Sequence, residues 1–167
     1  MKIVIKENDI IKAAEKGMDA FTNIFYDSIT EAIGGELTAE NMSELNADQI
    51  TLIAYIYLRE EVMDGGFVQL IHNGYGSFIF ENPFAKMIKI WGIKDLSKLI
   101  YATGKLYWEH GEDIEKECND DEFMALFEKH PEFDEFDDAF IENEEQWTAL
   151  IAHYIDENIE KFACIEK

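Results

Sequence analysis

Residues 46–66 have the sequence NADQITLIAYIYLREEVMDGG, which contains a helix start, an apolar run and a helix stop. Asn46 with Gln49 three residues later resembles a capping box, in which two side chains bind each other's backbone N–H groups at the start of a helix. The nine residues from Ile50 to Leu58 form the most apolar run of the chain, and charged residues end it far short of the length that spans a membrane. We therefore expect a helix that begins after Asn46 and ends at Gly65-Gly66.

Apolar residues in the rest of the chain also recur at intervals of three and four, which is the spacing of amphipathic helices. Only two prolines interrupt the 167 residues, and there is no internal repeat, no Gly/Ser linker and no low-complexity tract. We expect a single compact domain, residues 1–167, that is all-α or nearly so. Helices are predicted over residues 8–33, 46–63, 67–73, 82–91, 95–118 (with a weak point at Gly104), 120–130, 133–142 and 143–164, and short strands over 2–6 and 77–80.

Composition excludes several functional classes. Hydrophobic residues make up 47% of the chain, so it can bury a core and is not disordered despite a net charge of −22. Nucleic-acid binding of the usual kind needs clustered Lys and Arg, whereas Arg59 is the only arginine. An anionic membrane surface would repel the chain for the same reason. A cationic partner, a metal ion or a small molecule is a more suitable ligand.

The charge is unevenly distributed along the chain. Residues 109–145, the acidic segment, hold 17 acidic residues against Lys116 and Lys129, whereas the other 130 residues have a net charge of only −7. Residues 86–105, the Lys-rich segment, hold five lysines against Asp95 alone. Such asymmetry concerns partners rather than fold, and it would allow a homo-oligomer in which the acidic and Lys-rich faces of two copies meet.

Apolar residues recur within the acidic segment, which predicts ordered helices with carboxylates on their outer faces. The expected core anchors are Phe123, Met124, Phe127, Phe133, Phe136, Phe140 and Ile141. In helical form, at ~1.5 Å rise per residue, the segment carries one carboxylate per about 3.3 Å of axis, close to the ~3.4 Å per phosphate of a DNA strand. Two interpretations stay open, a solvated face that maintains solubility and a surface that binds Lys and Arg of a partner. The candidate partner-binding residues are Glu112, Glu115, Asp120, Asp121, Glu128, Asp134, Glu135, Asp137, Asp138, Glu142 and Glu145.

Known motifs for catalysis and metal binding are absent from the sequence. The histidines His72, His110, His130 and His153 lack metal-binding spacing, and the acidic clusters lack the glycine of a calcium loop. There is no Gly-x-Ser-x-Gly and no phosphate-binding glycine loop. We therefore predict no metal, no cofactor and no enzymatic activity.

The cysteines and the N-terminal residues indicate the cellular compartment in which we expect the protein. Cys118 and Cys164 are far apart and form no Cys-x-x-Cys pattern, so we expect free thiols, although a disulfide between them stays open. The N-terminus has three apolar residues before charge returns, which is too few for a signal peptide. We expect a cytoplasmic protein.

Residues 61–76, EVMDGGFVQLIHNGYG, are the most distinctive stretch. A glycine pair permits a positive φ or a close backbone approach. Gln69 and Asn73 lie four apart on one side of the following helix, where they could bind a ligand or satisfy nearby backbone groups, and we favour the second role.

The same stretch resembles the signature of the bacterial DNA-mimic protein domain family. The residues that carry the resemblance are Glu61, Val62, Asp64, Gly65, Gly66, Phe67 and Gln69, followed by Asn73, Gly74 and Gly76. Asp64 stands where the family usually has Asn. A looser similarity, in the order of helices and the acidic segment, covers residues 50–164.

The resemblance implies an all-helical, non-enzymatic protein whose negative surface imitates duplex DNA. Its implied partner is a basic DNA-binding protein of the transcription-factor type, with no direct binding to nucleic acid or membrane. The signature residues themselves, Glu61, Asp64, Gly65, Gly66, Phe67, Gln69, Asn73 and Gly76, are expected to be structural. No motif identifies the mimicking carboxylates, so the candidate acids above rest on charge density alone.

Two other functions stay open from the sequence. The acidic surface could serve an immunity-type inhibitor of a cationic nuclease toxin, which would use the same carboxylates against a different target. Alternatively, Gln69, Asn73 and His72 could form the site of a helical module that binds a small molecule or a metal.

Overall fold

The computed structural model describes all 167 residues and confirms the all-α class. Nine α-helices are accompanied by two short strands and two 3-10 turns, Asn41–Glu44 and Pro131–Phe133. None of the helices has the combination of length and hydropathy needed to cross a bilayer. The elements are β1 (Val4–Lys6), α1 (Glu7–Lys16), α2 (Met18–Ala32), α3 (Ala47–His72), α4 (Gly76–Phe80), α5 (Phe84–Ile90), α6 (Lys94–Glu115), α7 (Asp120–Lys129), α8 (Asp134–Glu157), α9 (Ile159–Phe162) and β2 (Cys164–Glu166).

Helix α3 begins with the predicted capping box. The backbone N–H of Asn46 donates to the Gln49 side chain at 3.0 Å, and the N–H of Gln49 donates to the Asn46 side chain at 2.8 Å. The side-chain amide groups of Asn46 and Gln49 also donate to backbone carbonyls of α9, at Lys161 and Phe162 respectively. The apolar run that follows is buried on every side of the helix, from Leu52 to Ile56. The box therefore both starts α3 and attaches the C-terminal residues to it.

Helix α3 is interrupted at Gly66, which has φ 78° and ψ −176° and is not helical. Helical geometry resumes at Phe67 and continues to His72. The predicted stop at the glycine pair and the short helix beyond it are thus confirmed.

The chain forms two compact units, and the boundaries fall within α3 and α8. The first unit comprises Met1–Ile53 and Glu145–Lys167. In it, β1 and β2 pair in parallel, with Ile5 opposite Ile165. Phe25 lies at the centre of its aromatic core, because its ring meets both Phe21 and Phe162 edge to face.

The second unit, Ala54–Glu144, contains both the signature and almost all of the acidic segment. Its core includes Phe67, whose ring meets Phe140 of α8 edge to face with 6.5 Å between centroids. Phe80 of α4 stacks on Tyr107 of α6 at 5.1 Å. Helix α6 continues through Gly104 without a break, and the missing side chain leaves room for Phe80.

Three secondary-structure predictions were wrong. The helix over 8–33 is broken at Gly17, whose φ is 124° and ψ 178°, and the apolar spacing on its two sides did not reveal the break. Residues 77–80, predicted as a strand, lie in α4, where packing overrides the β propensity of Phe and Ile. No break occurs at 142–143, because Asn143 donates to the carbonyl of Ala139 within α8 instead of capping a new helix.

Smaller differences concern the termini of elements and two expected anchors. Helix α6 covers Lys94–Glu115 rather than 95–118, and Ile93, not Asp95, holds the capping position. The strand β2 at the C-terminus was not predicted. Met124 and Ile141 were expected in the core, but they are 64% and 50% exposed.

Candidate functional site

The acidic segment is distributed over three helices. Of the 11 candidate acids, ten are exposed and only Asp137 is partly buried. Glu112 and Glu115 lie at the end of α6, and Asp120, Asp121 and Glu128 lie on α7. The remaining candidates, Asp134, Glu135, Asp137, Asp138, Glu142 and Glu145, lie on α8, with Glu145 in the first unit.

Some of these acids have a structural reason for their positions. Asp120, Asp121 and Glu122 form the first turn of α7, and Asp134, Glu135 and Asp137 are in the first turn of α8. Negative side chains are favourable there, because the N-terminus of a helix carries the positive end of its dipole. Acids in these first turns are therefore weak indicators of a binding surface.

Other candidate acids have no such reason. Glu112 and Glu115 lie in the last turn of α6, which contains no basic residue, and there the helix dipole disfavours a negative charge. Glu115 accepts a hydrogen bond from Tyr107 at 3.1 Å, and burial together with this bond raises the pKa of Tyr107 to about 12. On α8, Asp138 and Glu142 lie four residues apart beyond the first turn. Helix stability therefore does not account for the positions of Glu112, Asp138 and Glu142, which remain candidates for a binding surface.

Exposed apolar side chains lie among these carboxylates. Met124 is four residues from both Asp120 and Glu128 on α7, so the three share one helix face. On α8, the exposed Ile141 lies three residues after Asp138, so these two side chains also share a helix face. Single exposed apolar side chains occur on most protein surfaces, but apolar groups among carboxylates also match the apolar centre and polar rim of protein interfaces.

Asp137 differs from its neighbours. Its Oδ1 accepts a hydrogen bond from the backbone N–H of Phe67 at 2.8 Å. Burial raises the pKa of Asp137 to about 6, the Phe67 N–H opposes the rise, and the nearby charges of Asp134 and Asp138 add to it. Asp137 therefore caps the part of α3 that follows the kink.

The signature residues form the surroundings of this kink. A side chain at Gly66 would overlap the Asp137 carboxylate, and one at Gly65 would overlap Gln69. A side chain at Gly76 would come within 2.5 Å of the Tyr107 ring. Glycine is thus required at Gly66 both by its positive φ and by the close approach of α8.

The polar signature residues bind one another. The side-chain amide of Gln69 donates to Glu61 and to Asp64, each at 2.9 Å, and that of Asn73 donates to the same Glu61 oxygen at 2.9 Å. We expected the side-chain amides of Gln69 and Asn73 to bind backbone groups, but their partners in the structure are carboxylates. His72 is also engaged, because its Nδ1 lies 2.8 Å from the carbonyl oxygen of Ile114.

These features correspond to a known family. A family model described as DMP19-like protein matches residues 43–158, which include the signature and the whole acidic segment. The chain belongs to the DMP19-like family. It is 42% identical over 127 residues to the DNA mimic protein DMP19 of Neisseria meningitidis serogroup B (strain ATCC BAA-335 / MC58), an alignment that covers 75% of this chain and 77% of that protein. The resemblance drawn from the signature is confirmed.

The Lys-rich segment of this DMP19-like chain is also exposed. Five lysines of α5 and α6 face solvent, Lys86, Lys89, Lys94, Lys98 and Lys105. Two of them, Lys86 and Lys105, line a groove of about 270 Å³ together with the exposed Tyr101 and Trp108. Self-association through this face stays a prediction.

Both thiols of this DMP19-like chain are free. Cys118 is partly buried, and burial together with the charges of Glu122 and Asp120 raises the pKa of its thiol. A raised pKa lowers the thiolate fraction and hence the reactivity of a cysteine.

Asp113 is the acid of the segment with the strongest partners. The side chains of Lys129 and His130 reach its Oδ2 at 2.8 and 2.7 Å, and these hydrogen bonds lower the pKa of Asp113 to about 2. Asp113 was not among the predicted candidate acids, and His110 and His130 lacked metal-binding spacing because they are twenty residues apart in the sequence.

Proposed function

We propose that this chain is a non-enzymatic DNA mimic that binds a basic DNA-binding protein of the transcription-factor type and blocks its access to DNA. The observation that carries the proposal is the set of exposed carboxylates that helix stability does not explain, Glu112, Asp138 and Glu142. The name of the meningococcal relative supports the same function.

The carboxylates would take the places of DNA phosphates opposite Lys and Arg of the partner. Carboxylate–Arg pairs can be bidentate, which gives them both strength and geometric specificity. Met124 and Ile141 would supply apolar contacts that DNA phosphates lack, so part of the affinity would survive high salt. Charge would mainly accelerate association, whereas the apolar contacts would slow dissociation.

The test is a pull-down from native lysate with the full chain as bait, followed by elution with duplex DNA and identification by mass spectrometry. We expect a DNA-binding protein that duplex DNA displaces. Its purified form is then used to measure affinity, and we expect affinity to fall as salt is raised. Recovery of a nuclease instead would favour the immunity-type inhibitor.

A charge-reversal variant tests the surface itself. Glu112→Lys, Asp138→Lys and Glu142→Lys together should weaken binding by at least tenfold without unfolding the chain, because Lys at the end of α6 is favoured by the helix dipole. The matched control reverses Glu31, Glu36 and Glu40, which are exposed in the first unit and change the net charge equally. Equal loss in both variants would show that total charge alone acts, and no loss in either would refute the proposed surface.

A further inference from the structure

Three side chains that are distant in sequence converge beside the acidic helices. His110 lies on α6, His130 follows α7, and Glu132 lies in the 3-10 turn before α8. One ligand atom from each lies within 4.8 Å of the other two. The imidazole rings of His110 and His130 have centroids 4.9 Å apart. Ligands bound at ~2.1 Å to one tetrahedral ion are ~3.4 Å apart, so small side-chain rotations would complete the geometry.

The orientation of His130 supports a metal-binding role. Its side chain is buried, and its Nε2 lies 2.7 Å from Oδ2 of Asp113. A carboxylate can only accept this hydrogen bond, so Nε2 carries a proton, and Nδ1 is the nitrogen that the neutral imidazole would offer to a metal. Histidine ligands of metals commonly donate their other N–H to a carboxylate in this way, which fixes the ring and raises its basicity.

The remaining two side chains can adjust. His110 is partly exposed, so its ring has room to rotate. Glu132 is exposed and can rotate toward the histidines. Residues 109–145 contain 17 acids and only two lysines, and the nearby Lys129 is paired with Asp113, so the net charge of the segment attracts cations.

We propose that His110, His130 and Glu132 form a site for a divalent transition-metal ion of the zinc class. Two imidazoles and one carboxylate suit Zn²⁺ and its first-row neighbours, whereas Ca²⁺ and Mg²⁺ prefer oxygen ligands alone. Three protein ligands leave a fourth position for water or for a side chain of a partner. The ion would join α6 to the turn between α7 and α8 and would lower the negative charge of the acidic segment by two.

The site is tested with the metal alone on the full chain. The chain is freed of metal with a chelator and titrated with Zn²⁺, while bound metal is counted and the melting temperature is followed. We expect one Zn²⁺ per chain and a raised melting temperature, because a ligand that binds only the folded state stabilises it. Ca²⁺ and Mg²⁺ should give neither effect.

Variants locate the ion. His110→Gln and Glu132→Gln remove ligands that lie outside the core, and each should weaken Zn²⁺ binding by at least tenfold while the chain stays folded. The control, His153→Gln, changes an exposed histidine of α8 that pairs with Glu157, and it should leave binding unchanged. All titrations are repeated with Cys118→Ser and Cys164→Ser, because free thiols also bind zinc.

Substitution with Co²⁺ adds a spectroscopic readout. Nitrogen and oxygen ligands in a tetrahedral site should give visible d–d bands without a thiolate charge-transfer band. Failure to bind Zn²⁺, unchanged binding in His110→Gln and Glu132→Gln, or loss of binding only when the cysteines are replaced would overturn the proposal.

Discussion

Replacing Asp137 by Asn should stabilise the protein at neutral pH and weaken its dependence on pH. The amide oxygen of Asn can still accept the hydrogen bond from the Phe67 N–H, so the cap on the second part of α3 is kept. The substitution removes a charge that burial and the neighbours Asp134 and Asp138 make unfavourable. The predicted gain in stability therefore comes from removal of the Asp137 charge, because the hydrogen bond to the Phe67 N–H is kept.

The expected magnitude follows from the pKa of Asp137. A rise from the ordinary 3.8 to about 6 corresponds to about 3 kcal/mol of penalty for the ionised form. Because Asp137 is only partly buried and water screens part of its charge, we expect ~1–2 kcal/mol in practice.

The sign follows from proton binding. Between pH 3.8 and 6 the folded state keeps the proton of Asp137 while the unfolded state has lost it, so this carboxyl makes the protein less stable as pH rises. The Asp137 carboxyl makes its full contribution to stability only at a pH below its pKa in the unfolded state. This contribution is lost as pH rises through its pKa in the folded state. Above about pH 7 the penalty is constant, and Asp137→Asn should show its whole advantage there.

The assay is urea unfolding at pH 4.5 and 7.5, followed by circular dichroism and by tryptophan fluorescence to check that one transition is observed. The control is Asp138→Asn, which removes the same charge from an exposed neighbour without a cap, and it should change the free energy of unfolding by less than ~0.5 kcal/mol. If Asp137→Asn is destabilising at pH 7.5, or if its advantage is the same at pH 4.5, the reasoning about burial is wrong.

The remaining predictions concern the start of α3 at the capping box and its interruption at Gly66. Gly66→Ala should destabilise the chain by ~2–4 kcal/mol in urea unfolding, because it adds an overlap with Asp137 to the strain of a positive φ. Gly34 has a similar positive φ, but an added side chain there would meet no other atoms. Gly34→Ala should therefore lower the free energy of unfolding only by the ~1–2 kcal/mol of backbone strain. Equal effects of the two substitutions would contradict the overlap at Gly66. Asn46→Ala should lower stability by ~1–2 kcal/mol through loss of the capping box and of the bond to the Lys161 carbonyl. Thermal unfolding measures this loss of stability, with Asn143→Ala as the control. The side-chain amide of Asn143 donates only within its own helix, so its replacement should have a smaller effect.

Features that depend on neighbouring residues were predictable. The capping box joins residues three apart, and the stop at Gly66 needs only a residue that tolerates a positive φ. The break at Gly17 escaped prediction although it also lies at a glycine, because the apolar spacing continues through it. Apolar periodicity therefore located helices better than it located the breaks between them.

The candidate site was predictable in part. Charge density found the acidic segment, and ten of the 11 candidate acids are exposed. It did not distinguish Asp137, which caps Phe67, from its exposed neighbours, and it placed Met124 and Ile141 in the core. A helix of the acidic segment has apolar residues on more than one side, and packing alone decides which of them is covered.

The sequence by itself determined the helical class, the position of α3, the excess of charge in residues 109–145 and the membership of the family, because each depends on local spacing, composition or a contiguous signature. Only the tertiary structure decided that Asp137 reaches the kink seventy residues earlier and that His110, His130 and Glu132 converge. These meetings depend on how whole helices pack. Packing is set by many weak contacts between distant segments, and no short pattern in the chain records it.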